Sequence, residues 1–437
     1  MKRNILLPVE IASRELYSKV LLAHRFATNN CTSYIGDKGS ILAFSKYVPS
    51  AIYFDKGYHK GVSESIYDKL SSNGINIVSL DEENAVDFHD FQQINLRFPD
   101  HILNRFNLIF LWGIKQFQFL ENNRRNFDKN KIFVTGHPRF ELLKYGYRAI
   151  YEETAGEYTQ RYDNFILINT NFGLGNNVKG DKFVINNYGS RFPQIESLIT
   201  YQQKQVNNFV NLCKALSKAL DQKIILRPHP EENIDKYKQE LSGYSNVHVI
   251  SEGSVIPWIM ASEVMIHHDC TTGLECAMLG KNSIAYTKDL NKDLTTNIPL
   301  RISYQYDSVD NIVKHVLANN EIELKIDNAI LNDYFNFHFG SVDNIVNITM
   351  QMIICNSCNS KNYIFYKITS IIKNKLKSFI KRSDDLYEKK IEGLDLKNIQ
   401  MIVDKYNDIY KETVIVEEAH CKLFKLKKVT RSKLFKE

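Results

Sequence analysis

Short apolar runs of strand length alternate with longer stretches of helical periodicity over the first third of the chain. The stretch at 10–27 has a helical period, because Leu16, Val20, Leu21 and Ala23 fall on one side of it. Runs that predict buried strands lie at 5–8, 33–36, 51–54, 75–80, 108–113 and 131–136. Strands that alternate with helices at this spacing form parallel sheets, so residues 1–150 are predicted to be a doubly wound, Rossmann-like α/β domain.

A second series of strands follows a stretch at 144–163 that is rich in tyrosine and glutamate and has no strand pattern. Its strand-like runs lie at 165–171, 224–227, 247–250, 264–268 and 283–286, the last of which is predicted to end the core. We therefore place the domain junction within 144–163 and a second Rossmann-like domain over 160–320. The two domains are expected to face each other across a cleft.

Two stretches between these runs complete the outline of the second half. Residues 176–193 are rich in asparagine and glycine and predict a long loop, whereas 194–221 predicts a helix. From about residue 322 the alternation weakens. We expect a mostly helical, basic extension over 321–437.

Composition is that of an ordinary globular protein, since 43% of the 437 residues are apolar and 24% are charged. The net charge of +6 is mild and spread along the chain, so no nucleic-acid partner is predicted. The seven cysteines lack the spacing of a disulfide framework, which predicts a reduced, intracellular setting. Cys355 and Cys358 form a lone CxxC, and a structural zinc would need two more ligands.

Two features bear on membranes. The first apolar run is too short for the core of a signal peptide, and no run of ~18 apolar residues occurs, so a cytoplasmic protein is expected. Residues 361–382 carry seven basic side chains and no acidic one, interleaved with large apolar residues. This stretch predicts an amphipathic helix, which could lie on the anionic inner face of the cytoplasmic membrane or pack on the parent domain or a partner chain.

Two strand ends in the second domain together predict a phosphate site. Thr271, Thr272 and Gly273 open a helix-like run after one strand, where unpaired N–H groups, hydroxyls and a glycine let an anion approach. Arg227 and His229 follow another strand and could donate charge-assisted bonds to the same phosphate. Either piece alone is typical of an ordinary cap or turn, but ligands of open α/β sheets bind at this carboxyl edge.

Neighbouring positions extend the predicted site. Asn169, Thr170 and Asn171 end the first strand of the second domain, so they would border the phosphate. Glu275 lies one turn into the helix that follows Thr271, where a carboxylate can accept hydrogen bonds from ribose hydroxyls.

Acidic residues follow a strand of the first domain. Asp81, Glu82 and Glu83 are adjacent, and neighbouring carboxylates raise at least one pKa, which suits proton transfer or attack on a sugar carbon; the alternative is a polar helix N-terminus. Glu10 and Arg14 are one helical turn apart and could form an ion pair or hold a substrate carboxylate.

Lys56 lies within Asp55-Lys56-Gly57, which ends the third strand at the same edge and could have a similar role. No DxD-like pair follows a strand in a setting that would hold a metal against a diphosphate. A reaction without metal or cofactor is therefore expected.

The chain resembles a bacterial family of surface-carbohydrate biosynthesis proteins related to the transferases of Kdo and other ulosonic acids. The resemblance covers about residues 5–290. It is carried by Leu7-Pro8-Val9-Glu10, Ser13-Arg14-Glu15-Leu16, Ile52-Tyr53-Phe54-Asp55-Lys56-Gly57, Leu80-Asp81-Glu82-Glu83, Val134-Thr135-Gly136-His137-Pro138-Arg139-Phe140, Ile168-Asn169-Thr170-Asn171-Phe172, Arg227-Pro228-His229-Pro230 and His267-His268-Asp269-Cys270-Thr271-Thr272-Gly273.

The resemblance implies a GT-B glycosyltransferase that uses a CMP-activated acidic sugar. His229-Pro230 looks like the pair that sialyltransferases of this fold use on the CMP phosphate, and Thr271-Thr272 looks like their Ser/Thr motif. Glu82-Glu83-Asn84 looks like their acidic-acidic-Gly motif, with asparagine in place of the glycine. By that match Glu83 is the catalytic carboxylate and Glu82 its neighbour. Retention and inversion at the anomeric carbon both stay open.

The implied reaction transfers Kdo or a nonulosonic acid from a CMP donor to a lipid-linked or polysaccharide acceptor of a growing surface polymer. The residues expected to act are Glu83, Glu82 and His229 in catalysis, Arg227, His229, Asn169, Thr170, Asn171, Thr271, Thr272, Gly273 and Glu275 on the donor, and Glu10, Arg14 and Lys56 on the sugar carboxylate or acceptor. The alternatives are a teichoic-acid-type CDP-alcohol polyol phosphotransferase, a UDP-sugar 2-epimerase and a nucleotide-sugar-binding scaffold without chemistry.

Overall fold

The computed structural model describes residues 3–83, 87, 92–189, 192–318, 327–353 and 385–429. These residues fall into two compact units. The first draws on Met1–Ala85, Ile94–Leu142 and Leu331–Glu437, and the second on Val86–Gln93 and Leu143–Ile330. Asn84, Cys355, Cys358 and the predicted amphipathic helix at 361–382 lie outside the described residues.

The described residues from 3 to 142 form six parallel strands and seven helices. The strands are β1 (Asn4–Val9), β2 (Thr32–Asp37), β3 (Ile52–Asp55), β4 (Asn76–Leu80), β5 (Leu108–Leu111) and β6 (Ile132–Val134). The helices are α1 (Ala12–Thr28), α2 (Lys38–Ser45), α3 (Ser63–Ser72), α4 (Gln92–Arg97), α5 (Asp100–Leu103), α6 (Ile114–Asn123) and α7 (Pro138–Glu141). All six predicted strands and the first predicted helix are confirmed.

The strand order places a crevice beside β1. The six strands run β2-β1-β3-β4-β5-β6, so the chain leaves β1 for β2 on one side and returns to β3 on the other. The switch in direction separates the loops that follow β1 and β3, and ligands of doubly wound sheets bind at such a point. Ile5, Leu6, Leu7 and Val9 of β1 are fully buried, as expected for a parallel strand covered on both faces.

The second unit repeats this architecture. Its strands are β7 (Phe165–Asn169), β8 (Lys223–Arg227), β9 (Val247–Val249), β10 (Val264–His267), β11 (Ser283–Tyr286) and β12 (Tyr304–Tyr306). Its helices are α8 (Ala149–Tyr162), α9 (Asp181–Tyr188), α10 (Ile195–Ala219), α11 (Ile234–Glu240), α12 (Val255–Ala261), α13 (Thr271–Met278), α14 (Ile298–Arg301) and α15 (Val309–Leu317), and a 3-10 turn spans Lys292–Leu294.

The order in this sheet is β12-β11-β10-β7-β8-β9, and every pairing is parallel. The chain runs from β7 outward through β8 and β9, then crosses back to β10, so the switch point lies between β7 and β10. Asn169 ends β7 and His267 ends β10. The predicted phosphate residues therefore surround this switch point.

The structure corrects two boundaries in the second unit. The predicted loop at 176–193 contains α9, which begins after Gly180, a residue with φ of 79°. The run at 283–286 is not the last strand, because β12 follows it and pairs with β11. Both elements escaped prediction because their sequences carry little apolar signal: α9 is rich in asparagine, and β12 is short and partly exposed.

The residues that the structure describes after α15 form four helices and a hairpin. The helices are α16 (Asn328–Phe335), α17 (Ser341–Met352), α18 (Asp385–Lys390) and α19 (Leu396–Tyr410), and the strands are β13 (Val414–His420) and β14 (Leu423–Lys428). β14 pairs antiparallel with β2, so the hairpin extends the first sheet to eight strands. The helical extension thus also contains sheet. No helix among the described residues is long and apolar enough to cross a membrane.

Candidate functional site

The loop after β7 supplies three polar residues to the switch point of the second unit. Asn169 is buried, and its Nδ2 has no hydrogen-bond partner within the part of the chain that the structure describes. Thr170 Oγ1 donates to Glu232 Oε1 at 2.7 Å. Asn171 Nδ2 donates to Asp269 Oδ1 at 2.8 Å, while its Oδ1 is buried without a described partner. Unsatisfied amide groups at such an edge are costly unless a ligand or water satisfies them.

Glu232, in the loop after β8, binds the loop after β7 through hydrogen bonds to its carboxylate. Besides the Thr170 hydroxyl, its carboxylate accepts the N–H groups of Phe172 at 3.1 Å and His229 at 3.0 Å. The Tyr237 hydroxyl donates to its other oxygen at 2.5 Å. Burial raises the pKa of this carboxyl. Glu232, which holds the loops after β7 and β8 together, was not predicted from the sequence.

The start of α13 packs directly on the end of β10. Cys270 is the N-cap, and Thr271, Thr272 and Gly273 form the first turn. A Cβ at Gly273 would lie 2.6 Å from His267 Nε2, so only glycine lets the helix approach this closely. The Thr272 hydroxyl is buried beside the Cys270 thiol and has no described nitrogen or oxygen partner. The helix N-terminus and this hydroxyl are suited to a phosphate oxygen.

Arg227 and His229 are held by their own loops. Arg227 donates to the carbonyl oxygens of Glu252 at 2.6 Å and Gly253 at 3.1 Å, and its guanidinium lies over the Trp258 ring at 5.2 Å. Burial lowers the pKa of Arg227 to about 10, so it stays charged at neutral pH. Its charge therefore fixes the loop after β9, a contact that the sequence did not predict.

His229 Nδ1 accepts the Glu231 N–H at 3.3 Å, so Nε2 is the ring nitrogen that can carry a proton to donate. A donor nitrogen of this kind can face a phosphate oxygen. Glu275, predicted to contact ribose, is buried one turn into α13.

The switch point of the first unit holds a dense set of charges. Lys56 lies between two carboxylates, 3.0 Å from Glu10 Oε2 and 2.8 Å from Glu15 Oε1. Lys38 Nζ lies 2.8 Å from the other oxygen of Glu10. Burial alone raises the pKa of Glu10, but Lys56 and Lys38 lower it well below its usual range. Glu10 thus pairs with two lysines. The ion pair with Arg14, one of the two roles predicted from their spacing, is not formed.

Glu82 is buried in a second ion pair. Its Oε1 lies 2.7 Å from Lys19 Nζ, and both side chains are excluded from solvent. Burial alone raises the pKa of Glu82, but the Lys19 ammonium and His137 lower it well below its usual range. Repulsion from neighbouring acids would raise the pKa of Glu82, but the Lys19 ammonium from α1 outweighs that repulsion. Glu82 is therefore ionised at neutral pH and cannot serve there as a proton donor.

His137 closes the pocket around Glu82. Its ring stacks on Trp112 at 4.4 Å, and its Nδ1 accepts the Arg139 N–H at 3.2 Å. Its Nε2 lies 3.5 Å from Glu82 Oε2. Burial lowers the pKa of His137 to about 3, so the ring is neutral at pH 7.

Glu83 is the accessible acid of the group, with 37% of its side chain exposed. Arg14 lies 3.7 Å from Oε1 and Arg97 lies 3.4 Å from Oε2. Its N–H donates to Asp81 Oδ1 at 2.8 Å, and Asp81 pairs with Arg97 at 2.6 Å. Two arginines therefore hold the Glu83 carboxylate at the surface, where a substrate can reach it.

Gly57 makes room for this arrangement. Its φ is +130°, and a Cβ there would lie 1.7 Å from Arg97 Nη2. Arg97 Nη2 donates to the Lys56 carbonyl at 3.1 Å, which links the loops after β3 and β4. The sequence did not predict a role for Glu15, Lys19 or Arg97. One sequence feature could have indicated Lys19, because it is a charged residue on the apolar side of α1, one turn after Glu15.

The fold is similar to those of two solved UDP-GlcNAc 2-epimerases and a wall teichoic acid polymerase. UDP-GlcNAc 2-epimerase from Methanocaldococcus jannaschii matches with a TM-score of 0.51 and 13% identity over 80% of this chain and 100% of that one. A TagF wall teichoic acid polymerase variant soaked with CDPG matches with a TM-score of 0.51 and 12% sequence identity. The match covers 80% of this chain and 88% of that one. The Neisseria meningitidis UDP-GlcNAc 2-epimerase matches with a TM-score of 0.50 and 12% sequence identity. The match covers 80% of this chain and 100% of that one. No family model and no curated protein matches the sequence.

Proposed function

We propose that the protein is a metal-independent glycosyltransferase that moves an acidic ulosonic sugar from a CMP donor to a growing surface polysaccharide. Domain 160–320 binds the donor, and domain 1–150 provides the catalytic acids and the acceptor side. The protein acts in the cytoplasm at the inner face of the membrane, with 361–382 as its contact. The observation that carries the proposal is Glu83, an exposed carboxylate held between Arg14 and Arg97.

The donor site has the chemistry of a nucleotide monophosphate site. Thr271 and Thr272 offer the N–H groups of a helix N-terminus and a buried hydroxyl, and His229 offers a ring N–H. Asn169 ends β7 at the same switch point, with an Nδ2 group that lacks a partner among the described residues. These neutral donors, together with the helix dipole, would stabilise the departing CMP phosphate without a metal.

The acids of the first unit divide their roles by exposure. Glu82 is enclosed by Lys19 and His137, so it is a positioning residue that fixes the turn carrying Glu83. Glu83 acts on the anomeric carbon or on the acceptor hydroxyl. Lys56 and Arg14 are the cations that would meet the sugar carboxylate or the acceptor.

A screen of donors tests this proposal. Purified protein is incubated with a surface-polysaccharide acceptor and, one at a time, with CMP-Kdo, a CMP-nonulosonic acid, CDP-glycerol or UDP-GlcNAc. The release of CMP, transfer to the acceptor and epimerisation are followed by mass spectrometry. We expect turnover of a CMP-sugar alone, loss of turnover in Glu83→Gln with CMP binding kept, and unchanged turnover in the control Glu121→Gln. Turnover by Glu83→Gln at the wild-type rate would remove Glu83 from the mechanism.

The second candidate is a UDP-sugar 2-epimerase. The observation that favours it is the fold likeness, which covers the full length of the two epimerases above. Conversion of UDP-GlcNAc to its 2-epimer in the same screen would establish this reading in place of the first. Turnover of CDP-glycerol would instead establish a polyol phosphate transferase, and CMP binding without turnover on any acceptor would indicate a scaffold.

A further inference from the structure

Glu10 bridges two loops at the switch point of the first unit. It follows β1, and its Oε1 lies 2.8 Å from the Nζ of Lys38, which begins α2 after β2. Its Oε2 lies 3.0 Å from the Nζ of Lys56, which follows β3. Because β2 and β3 flank β1 on opposite sides, the carboxylate spans the crevice between their loops. Ligands of doubly wound sheets bind in such a crevice.

The exposed part of this charge cluster places a carboxylate beside an ammonium. The side chain of Glu10 is 36% exposed and that of Lys38 is 24% exposed. Glu15 and Lys56, by contrast, are buried. A ligand in the crevice therefore meets Glu10 as a hydrogen-bond acceptor and Lys38 as a donor, 2.8 Å apart.

Glu10 and Lys38 have more bonding capacity than their ion pair uses. An ionised carboxylate can accept about four hydrogen bonds, and an ammonium donates three. The two lysines occupy one position on each oxygen of Glu10. The pKa of Glu10 lies well below its usual range, so the carboxylate is ionised at neutral pH and acts only as an acceptor.

The pairing of the lysines selects against an anionic ligand. Lys38 pairs with Glu10, and Lys56 pairs with both Glu10 and Glu15. An anionic group would have to displace Glu10 from these lysines and leave its carboxylate unpaired. A hydroxyl can add to the cluster without breaking an ion pair, since it can donate to Glu10 or accept from Lys38. Two adjacent hydroxyls of a sugar ring can bind one to each group, so a neutral vicinal diol is the complement of this surface.

A chain of short contacts links this surface to Glu83. Lys56 Nζ lies 2.8 Å from Glu15 Oε1, and the same oxygen lies 3.3 Å from Arg14 Nη2. Arg14 Nη2 lies 3.7 Å from Glu83 Oε1. The exposed carboxylates of Glu10 and Glu83 thus belong to one cluster, and a short acceptor chain can reach both.

We infer that Glu10 and Lys38 bind two adjacent hydroxyls of a neutral sugar at the end of the acceptor. One hydroxyl donates to Glu10, and its neighbour accepts from Lys38. The inference rests on the proposed function, in which the first unit carries the acceptor side. Of the two roles proposed for Lys56, it favours the acceptor, because Lys56 holds Glu10 in place. Loss of one charge-assisted hydrogen bond should weaken acceptor binding about tenfold.

Saturation-transfer NMR on the full chain, without a donor, tests this assignment. The probes are the methyl glycosides of glucose, galactose and mannose, which are neutral and carry adjacent hydroxyls, and the methyl glycoside of glucuronic acid, which adds a carboxylate. Glu10→Gln and Lys38→Met are compared with Glu417→Gln, a matched control whose side chain is 45% exposed and also lies between two lysines, Lys425 and Lys427. Thermal unfolding confirms that each variant folds, and each is also titrated with CMP-Kdo.

We expect at least one neutral glycoside to bind the unaltered chain, to bind about tenfold more weakly to Glu10→Gln and Lys38→Met, and to bind Glu417→Gln unchanged. Binding of no neutral glycoside, or equal binding to Glu10→Gln, would overturn the inference and leave the CMP-transferase proposal standing. Tighter binding of the glucuronic acid glycoside than of the glucoside by the unaltered chain would also overturn it, because the lysines would then hold a carboxylate.

Two further outcomes separate the acceptor from the donor. If Glu10→Gln weakens the binding of CMP-Kdo and leaves glycoside binding unchanged, Glu10 contacts the donor sugar and the inference is wrong. If glycosides bind through Glu10 but no CMP-sugar is turned over in the donor screen, the proposed function fails and the acceptor assignment fails with it.

Discussion

Replacing Lys19 by methionine tests the buried pair on which the geometry of the acids depends. Methionine keeps the length of the lysine stem, so the change removes the ammonium with little change in packing. Glu82 would then be a buried carboxylate whose nearest cation, at 2.7 Å, has gone. Burial would raise its pKa, and protonation would release the turn that ends at Glu83.

The size of the effect follows from the burial of both groups. Lys19 is 1% exposed and the Glu82 side chain 0%, so solvent screens neither charge. Removing one partner of such a pair costs about 3–5 kcal/mol, whereas replacing both with neutral groups costs far less. We therefore expect Lys19→Met to destabilise the first unit by about 3–5 kcal/mol and the double variant Lys19→Met/Glu82→Gln to recover at least about 2 kcal/mol of it.

The two tryptophans of the chain make the assay local. Trp112 stacks on His137 beside Glu82, whereas Trp258 lies in the second unit. In a Trp258→Phe background, urea unfolding followed by tryptophan fluorescence therefore reports on the first unit alone. The single variants Lys19→Met and Glu82→Gln are measured beside the double variant. If their losses of unfolding free energy sum to that of the double variant within about 0.5 kcal/mol, the pair is not coupled and this reasoning is refuted.

Three further predictions follow from the same structure. Gly273→Ala should destabilise the second unit by about 1–3 kcal/mol and weaken CMP binding, since its Cβ would meet the buried His267 ring at 2.6 Å. The control is Gly243→Ala, which has open space around it. Equal melting temperatures of the two variants would contradict the packing of Gly273 on His267. Buried His137, with its pKa lowered to about 3, contributes stability that is complete above pH 6.5 and is lost as pH falls. Between pH 6.5 and 5 the loss of unfolding free energy should amount to about 2 kcal/mol. His137→Gln should flatten the dependence of the urea-derived unfolding free energy on pH. An unchanged slope in this variant would refute the prediction. Transfer should persist in EDTA, and loss that magnesium restores would end the metal-independent proposal.

The fold followed from sequence because its strands are buried on both faces. Runs such as Ile5 to Pro8 and Phe165 to Asn169 are continuously apolar, which is the pattern of a central parallel strand. The edge strand Tyr304–Tyr306 lies half in solvent and carries no such signal. The hairpin from Val414 to Lys428 was missed because a predicted helical tail gave no reason to return to the first sheet.

The site followed from sequence only as far as single strand ends allow. Positions such as Glu83 and Thr272 could be chosen because they follow apolar runs, and their roles stay predictions. Partners from other elements could not be chosen, because pairing depends on the folded chain. Lys19 lowers the pKa of Glu82 from a different helix, and the loop after β9 engages Arg227, neither of which has a local signature.

The most direct test of the account is a crystal structure of the full chain soaked with CMP. We expect the CMP phosphate at the start of α13, within about 3 Å of the N–H or hydroxyl groups of Thr271 and Thr272 and near His229. A phosphate bound elsewhere on the protein, with Thr271 and Thr272 unliganded at saturating CMP, would contradict it.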